Sequence, residues 1–340
     1  MRALHIFTFA IAIFISVDAL PYDKPNVLTI PLKPKSITRR RLSKREIASL
    51  PLTAEQSDVT YFGQITFGTG TPQNFDIMFD TGSPELFVIG KDCNPEECSN
   101  DHKYDSALDK SFSLIKENAF IIKYADGTEI NGDLAKTTIV IADMLVEQQE
   151  FGLANKVSGG FNRPFSGIMG MPFGELNRYG QPTVIANLIN NNKLDNPQFS
   201  FMLGREADRS PSELTIGGSN PARYHADTLT FTHVVDDNDD LWEIPIDDCI
   251  VGGQQVYFDS QTAIIDTGTT RIYMPPNDAK EFYREIRTAR DRGDGFYAID
   301  CKAIIEVSLV FSGKTWNISP KDFIVKRNEN VCVGAVAYFN

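Results

Sequence analysis

Histidine is scarce in this 340-residue chain: His5, His102, His225 and His233 are the whole supply. None belongs to a His-Glu-x-x-His pair, which argues against the helix-borne zinc site of metalloproteases. No Gly-x-Ser-x-Gly occurs, so the nucleophile elbow of serine hydrolases is missing too. Gly68-Thr69-Gly70 lacks the third glycine and the helix context of a nucleotide-binding loop. Positive charge is in deficit, with 33 Lys and Arg against 45 Asp and Glu. A net charge of −12 argues against nucleic acid as a partner. After the N-terminus no stretch is long and apolar enough to span a bilayer, so no stable membrane anchor is expected. Cysteine is limited to Cys93, Cys98, Cys249, Cys301 and Cys332. No second Cys or His pair at ligand spacing accompanies Cys93 and Cys98, so neither a metal nor a cofactor is expected.

What is present points to a secreted β protein. Apolar residues make up 42% and charged residues 23% of the chain, enough for a substantial core. Twenty-three Phe, eighteen Pro and many short Thr/Ile/Val runs favour an all-β fold. At the N-terminus Arg2 precedes an apolar stretch from Ile6 to Val17, and Val17-Asp18-Ala19 offers a cleavage point after Ala19. That is the layout of an export signal, and too short for a transmembrane helix. Cysteine usage fits the export route: the Cys93–Cys98 spacing suits a small disulfide loop, and Cys301 with Cys332 can close a longer one. Cys249 is then left over, either buried and free or without its partner in this chain.

Residues 20–45 form a basic leader. Lys24, Lys33, Lys35, Arg39, Arg40, Arg41, Lys44 and Arg45 face a single acid, Asp23, while the rest of the chain is strongly acidic. Leader and body attract at neutral pH, and protonating the body's carboxylates in acid weakens that attraction. The alternative is a solvated basic linker. Lys44-Arg45 is a candidate dibasic processing site.

From Tyr61 onward the pattern is short β runs between turn signals. Tyr61–Phe67 alternates like a half-buried strand. The Asp126-Gly127 pair between apolar runs predicts a hairpin with its tip at 125–128. Two short helices are expected, Thr183–Asn191 and Asp278–Arg290, the second after Pro275-Pro276-Asn277.

One tripeptide occurs twice. Asp80-Thr81-Gly82-Ser83 follows Ile77-Met78-Phe79, and Asp266-Thr267-Gly268-Thr269 follows Ala263-Ile264-Ile265. Each copy ends an apolar strand, in different halves of the chain. Two such loops brought together place two carboxylates side by side. They cannot both ionise comfortably, so they share a proton and titrate as a unit. The ionised member can take a proton from water while the protonated one donates to a carbonyl oxygen. Glycine at the third position admits close backbone approach. The Thr81 and Thr267 hydroxyls can tie one loop to the other. Ser83 and Thr269 can hydrogen-bond the outer carboxylate oxygens.

On these motifs the chain, from about residue 46 to 338, resembles the pepsin-like aspartic proteases of peptidase family A1. Tyr61-Phe62-Gly63 matches that family's first strand, and the two Asp-Thr-Gly loops match its active site. Tyr124 with Gly127 matches the flap hairpin. Phe165-Ser166-Gly167-Ile168-Met169-Gly170 matches the strand that supports the first loop. Cys93–Cys98 and Cys301–Cys332 match two family disulfides. Val27-Leu28-Thr29-Ile30-Pro31-Leu32 with the basic residues after it resembles an inhibitory prosegment.

The resemblance implies an all-β bilobal fold with a few short helices and a cleft that takes an extended polypeptide under the flap. It implies a monomeric zymogen acting in a secreted or lumenal acidic compartment. Its parts would be a signal peptide (1–19), a prosegment (20–45), an N-terminal lobe (46–221) and a C-terminal lobe (222–340). Asp80 and Asp266 would be catalytic, and Tyr124, Gly127, Met78, Phe165 and Ile168 would bind substrate. For Met78, Phe165 and Ile168 plain core packing is the competing assignment.

The departures from the family pattern are specific. Phe87 stands where the family usually has a Trp that hydrogen-bonds the flap tyrosine. Pro84-Glu85 and Thr270-Arg271 replace neutral residues beside the loops, and Arg271 can face either the cleft or solvent. After Cys332 the family's second apolar-apolar-Gly strand is not found, so an incomplete second lobe is expected, with a non-catalytic peptide-binding protein or a truncated inactive homologue as the alternative function.

Overall fold

The computed structural model describes residues 10–11 and 47–338, except 55–59, 99–101, 125–126, 159–162, 195, 206–207, 236–239, 259–261 and 329–330. The expected signal and leader segments therefore fall almost wholly outside the described residues. The chain folds as two β lobes with a few short helices. After the two-residue strand β1 (Ala10–Ile11), the first lobe contains β2 (Ala48–Ala54), β3 (Tyr61–Phe67), β4 (Gln73–Asp80), β5 (Leu86–Ile89), β6 (Ser113–Lys123), β7 (Glu129–Ile141), β8 (Met144–Ser158) and β9 (Gly167–Gly170). Helix α1 (Val184–Asn190) and strands β10 (Phe199–Met202) and β11 (Ser212–Ile216) complete it.

The second lobe begins with β12 (Glu243–Pro245), β13 (Asp248–Val251), β14 (Gln254–Gln255), β15 (Thr262–Ile265) and β16 (Ile272–Met274). It continues with α2 (Pro276–Arg284), β17 (Arg290–Asp291), β18 (Phe296–Ile299), β19 (Val307–Phe311) and β20 (Lys314–Ile318). It closes with α3 (Pro320–Phe323), β21 (Ile324–Asn328) and β22 (Val331–Tyr338).

Strand β3 spans the residues whose alternation predicts it, with Ile65 and Phe67 buried and Gln64 exposed. The hairpin β6–β7 turns at the predicted tip, where Gly127 has a φ of 87°. Helix α1 has Thr183 as its cap, the hydroxyl accepting from the Ala186 N–H. Helix α2 departs from expectation, running over Pro276–Arg284 rather than 278–290. Pro276 fits the first helical turn, where no intrahelical N–H partner is needed. At the other end Arg290 pairs with Ala298, so β-pairing takes over the residues that periodicity assigned to the helix.

Both lobes carry the same four-strand arrangement around an Asp-Thr-Gly loop. In the first, β4 pairs in parallel with β9, β9 antiparallel with β5, and β5 in parallel with β8. In the second, β15 pairs in parallel with β1, β1 antiparallel with β16, and β16 in parallel with β22. The place held by Gly167–Gly170 in the first lobe is thus held by Ala10–Ile11 in the second. The two supports are unequal. The last four residues of β4 are buried, whereas in β15 only Ala263 is. Backbone amides of Thr262–Ile265 are therefore expected to exchange with solvent at least about tenfold faster than those of Ile77–Asp80. Equal protection of the two strands in a hydrogen-exchange experiment would contradict this.

Each lobe has its own core. Phe67, Phe75, Tyr104 and Phe151 pack edge-to-face in the first. Phe282, Tyr283, Tyr297 and Phe323 anchor the second. A disulfide joins Cys93 to Cys98 and another joins Cys301 to Cys332, each within one lobe. Cys249 is buried and free, and burial pushes its thiol well above the ordinary range. Among the described residues no helix is long and apolar enough to cross a membrane.

Candidate active site

The two Asp-Thr-Gly loops meet at the junction of the lobes, held together by a reciprocal set of hydrogen bonds. The Thr81 hydroxyl donates to the Ile265 carbonyl (2.7 Å) and accepts from the Thr267 N–H (2.9 Å). The Thr267 hydroxyl donates to the Phe79 carbonyl (2.7 Å) and accepts from the Thr81 N–H (3.1 Å). Each hydroxyl thereby satisfies two backbone groups at the end of the opposite strand, where the sheet ladder has run out. This fixes the separation of the loops by hydrogen bonds from both sides.

The glycines do the rest. A methyl carbon added to Gly268 would stand 2.2 Å from Asp80 Oδ1, and one added to Gly82 would stand 2.6 Å from Asp266 Oδ2. Only the absence of a side chain lets each backbone sit against the other lobe's carboxylate. The Gly82 N–H donates to Asp80 Oδ1 (2.9 Å) and the Gly268 N–H to Asp266 Oδ1 (2.7 Å). The Ser83 hydroxyl donates to Asp80 Oδ2 (2.5 Å). Among the described residues no matching bond runs from Thr269 to Asp266, so the two carboxylates are not equivalent.

Asp80 is 6% exposed. Burial first, and then the Asp80 carboxylate beside it, hold the Asp266 carboxyl far above the usual carboxylate range. The N–H groups of Gly268 and Gly82 oppose the rise without cancelling it. The pair thus keeps a proton where isolated aspartates would have lost theirs.

The shared proton also makes stability depend on pH. A folded-state value raised above the unfolded value of about 4 means that the contribution is fully present below that pH and is lost as pH climbs toward the raised value. Asp266→Asn should therefore gain stability relative to the parent chain between pH about 4 and pH about 8, by at least about 2 kcal/mol. Thermal unfolding across that range would show the gap widening with pH, and a constant gap would contradict the assignment.

Tyr124, half-buried, closes the turn between β6 and β7: its N–H donates to the Thr128 carbonyl and its carbonyl accepts from the Gly127 N–H. The structure brings it together with the three expected pocket residues. Met78, Phe165 and Ile168 are buried with Phe62, Phe87, Phe120 and Ile122 in one apolar cluster, and Tyr124 packs against it. They serve at least as core beneath the β6–β7 hairpin. Arg271 is half-buried and lies within electrostatic reach of Tyr283 on α2.

Two contributors escape sequence reasoning. Trp242 ties the two loops: its carbonyl accepts from the Ile265 N–H (3.0 Å), and its indole N–H donates to the Met171 carbonyl (2.8 Å). Met171 in turn donates its N–H to the Asp80 carbonyl (2.7 Å). The other is Arg178, whose Nε donates to Glu85 Oε1 (2.6 Å) behind the Asp80 loop. Pro84-Glu85 stands out in the sequence as an unusual neighbour of the loop, but its partner lies 93 residues away.

A family model described as eukaryotic aspartyl protease matches residues 60–339. Rhizopuspepsin-4 of Rhizopus niveus is 31% identical, over 85% of this chain and 72% of its own length. Rhizopuspepsin of Rhizopus chinensis is 29% identical, over 97% of this chain and 88% of its own. Cathepsin D of Clupea harengus is 31% identical, over 97% and 87% respectively.

Proposed function

Since the chain belongs to the eukaryotic aspartyl protease family and is an aspartic-type endopeptidase, we propose that Asp80 and Asp266 are its catalytic pair and that it is made as an exported zymogen. The observation that carries the first part is the close approach of the two loops, with each glycine against the opposite carboxylate. With the proton resting on Asp266, Asp80 is the base. It takes a proton from a water molecule as the water oxygen bonds to the scissile carbonyl carbon. Asp266 gives its proton to the carbonyl oxygen. The resulting gem-diol then breaks its C–N bond as Asp80 passes its newly gained proton to the leaving nitrogen and Asp266 takes a proton back from a gem-diol hydroxyl, which restores the pair. No covalent enzyme intermediate forms.

Tyr124 and Gly127 would cover an extended polypeptide, with Met78, Phe165 and Ile168 shaping an apolar pocket beside the scissile bond. The basic 20–45 segment would act as an inhibitory prosegment held to the acidic body at neutral pH. An export signal at 1–19 would direct the chain to a secretory or acidic lumenal compartment, where it would work as a monomer; cleavage after Ala19 would remove β1 (Ala10–Ile11) from between β15 and β16, so that strand belongs to the uncleaved chain.

The test is cleavage of acid-denatured globin at pH about 3–4, blocked by a statine-type inhibitor. A folded sample that cuts nothing would sink the catalytic reading. The rival is a peptide-binding homologue, favoured by the partly exposed β15. Peptide binding without turnover, unchanged in Asp80→Ala, would establish that instead.

A further inference from the structure

The connection between β9 and α1 contains a tight hairpin that touches both the Asp80 loop and the flap. The Leu176–Pro182 bridge closes it, and the Gly180 N–H donates to the Asn177 carbonyl (2.9 Å) across the turn. Gly180 has a φ of 73°, which suits glycine at that place. The Asn177 side chain stiffens the turn from within, its Oδ1 accepting from the N–H groups of Tyr179 and Gln181. Its Nδ2 reaches Glu150 Oε1 on β8 (3.4 Å). Arg178 and Tyr179 are the two central residues of this braced turn, and they point to different neighbours.

Arg178 reaches the catalytic side. It lines a cavity with Gly82, Pro84, Pro172 and Asn177, beside the Asp80 loop. Its partner Glu85 is 1% exposed, and the Glu85 carbonyl accepts from the Gly170 N–H. Glu85 Oε2 is buried and makes no hydrogen bond among the described residues; burial pushes the Glu85 carboxyl above its ordinary range, and Arg178 opposes that rise without cancelling it. Tyr179 reaches the flap side. Its ring packs 5.7 Å from Phe120, and its hydroxyl accepts from the Ile121 N–H (2.9 Å) on β6. Ile121 lies three residues before Tyr124, on a strand that, among the described residues, pairs only with β7. Tyr179 therefore caps an outward-facing amide on that arm. Phe87, whose side chain has no N–H to offer the flap, packs 6.2 Å from Phe120 on the same cluster.

We infer that the 176–182 hairpin is a two-headed clamp, in which Arg178 and Tyr179 are positioning residues that couple the Asp80 loop to the flap arm. Neither touches the reacting atoms. The inference rests on the reading of Asp80 as catalytic and of the 123–129 turn as the flap.

The experiment uses the full chain after activation, a peptide substrate, and three variants: Tyr179→Phe, Glu85→Gln/Arg178→Gln, and the triple substitution. Neutralising both members of the ion pair avoids stranding a buried charge. In Tyr179→Phe the Ile121 amide should exchange about tenfold faster, with KM raised several-fold and kcat within about twofold. Glu85→Gln/Arg178→Gln should lower kcat about tenfold with KM little changed. The triple variant should depart from the product of the two effects on kcat/KM by at least about threefold. An active parent enzyme with multiplicative effects, or with unchanged exchange at Ile121, would overturn the clamp. An inactive parent would instead overturn the catalytic reading, and the exchange measurement separates the two.

Discussion

Asparagine in place of Asp80 or Asp266 is expected to lower kcat by about 10⁴-fold or more, with little change in KM. On the proposed mechanism the two carboxyls act as one proton-handling unit, so removing either leaves no half-working site. Asp80 accepts hydrogen bonds from Gly82 and Ser83, while burial and then the neighbouring Asp80 carboxylate hold the Asp266 carboxyl far above the usual range. In Asp80→Asn the carboxamide cannot accept the proton of the attacking water. In Asp266→Asn an amide N–H replaces the acid, and it is too weak to protonate the carbonyl oxygen. The proposed substrate contacts to the cluster under the β6–β7 hairpin are untouched in both variants, which is why KM should hold. Steady-state kinetics on the two variants and the double mutant check this. The double should be no worse than either single, because they remove the same step.

The second large effect is steric. Gly268→Ala should reduce kcat by about 10²- to 10³-fold while leaving the chain folded. The added carbon would fall 2.2 Å from Asp80 Oδ1, well inside any tolerated contact. Either the carboxylate or the loop must shift, and the loop is pinned by the Thr81 and Thr267 bonds. The displacement therefore goes mainly into the carboxylate pair. Gly82→Ala should behave alike, since its carbon would meet Asp266 Oδ2 at 2.6 Å. By contrast Gly180 has open space around its Cβ direction, so alanine there tests only the cost of its positive φ. Kinetics combined with circular dichroism would separate displacement from unfolding. Full activity in Gly268→Ala would contradict the close approach of the loops.

The parts of this site readable from sequence are those whose chemistry is local. An apolar run ending in Asp-Thr-Gly announces a strand, a turn and a carboxylate in a few residues, and its repetition implies a pair. The Tyr61–Phe67 strand and the 125–128 turn were legible because alternation and Asp-Gly act over short spans. Helix α2 shows where that fails: the apolar periodicity of 278–290 is genuine, but pairing of Arg290 with Ala298 is a long-range gain that local pattern does not contain. The same holds for the clamp and for Trp242. A salt bridge between Glu85 and Arg178, or an indole reaching Met171 from the other lobe, is set by how two distant segments pack. Sequence flagged Glu85 only as an odd charge next to the first Asp-Thr-Gly loop. The placement of Ala10–Ile11 between β15 and β16 was equally hidden, since those residues read as the middle of an export signal.

A neutron diffraction map of the protein crystallised at pH about 5, with exchangeable protons replaced by deuterium, would look at the shared proton itself. One deuteron should lie on Asp266, hydrogen-bonded toward an ionised Asp80, with the Ser83 hydroxyl also pointing at Asp80. Two bare carboxylates standing apart, or two fully protonated acids, would contradict the division of labour between residues 80 and 266.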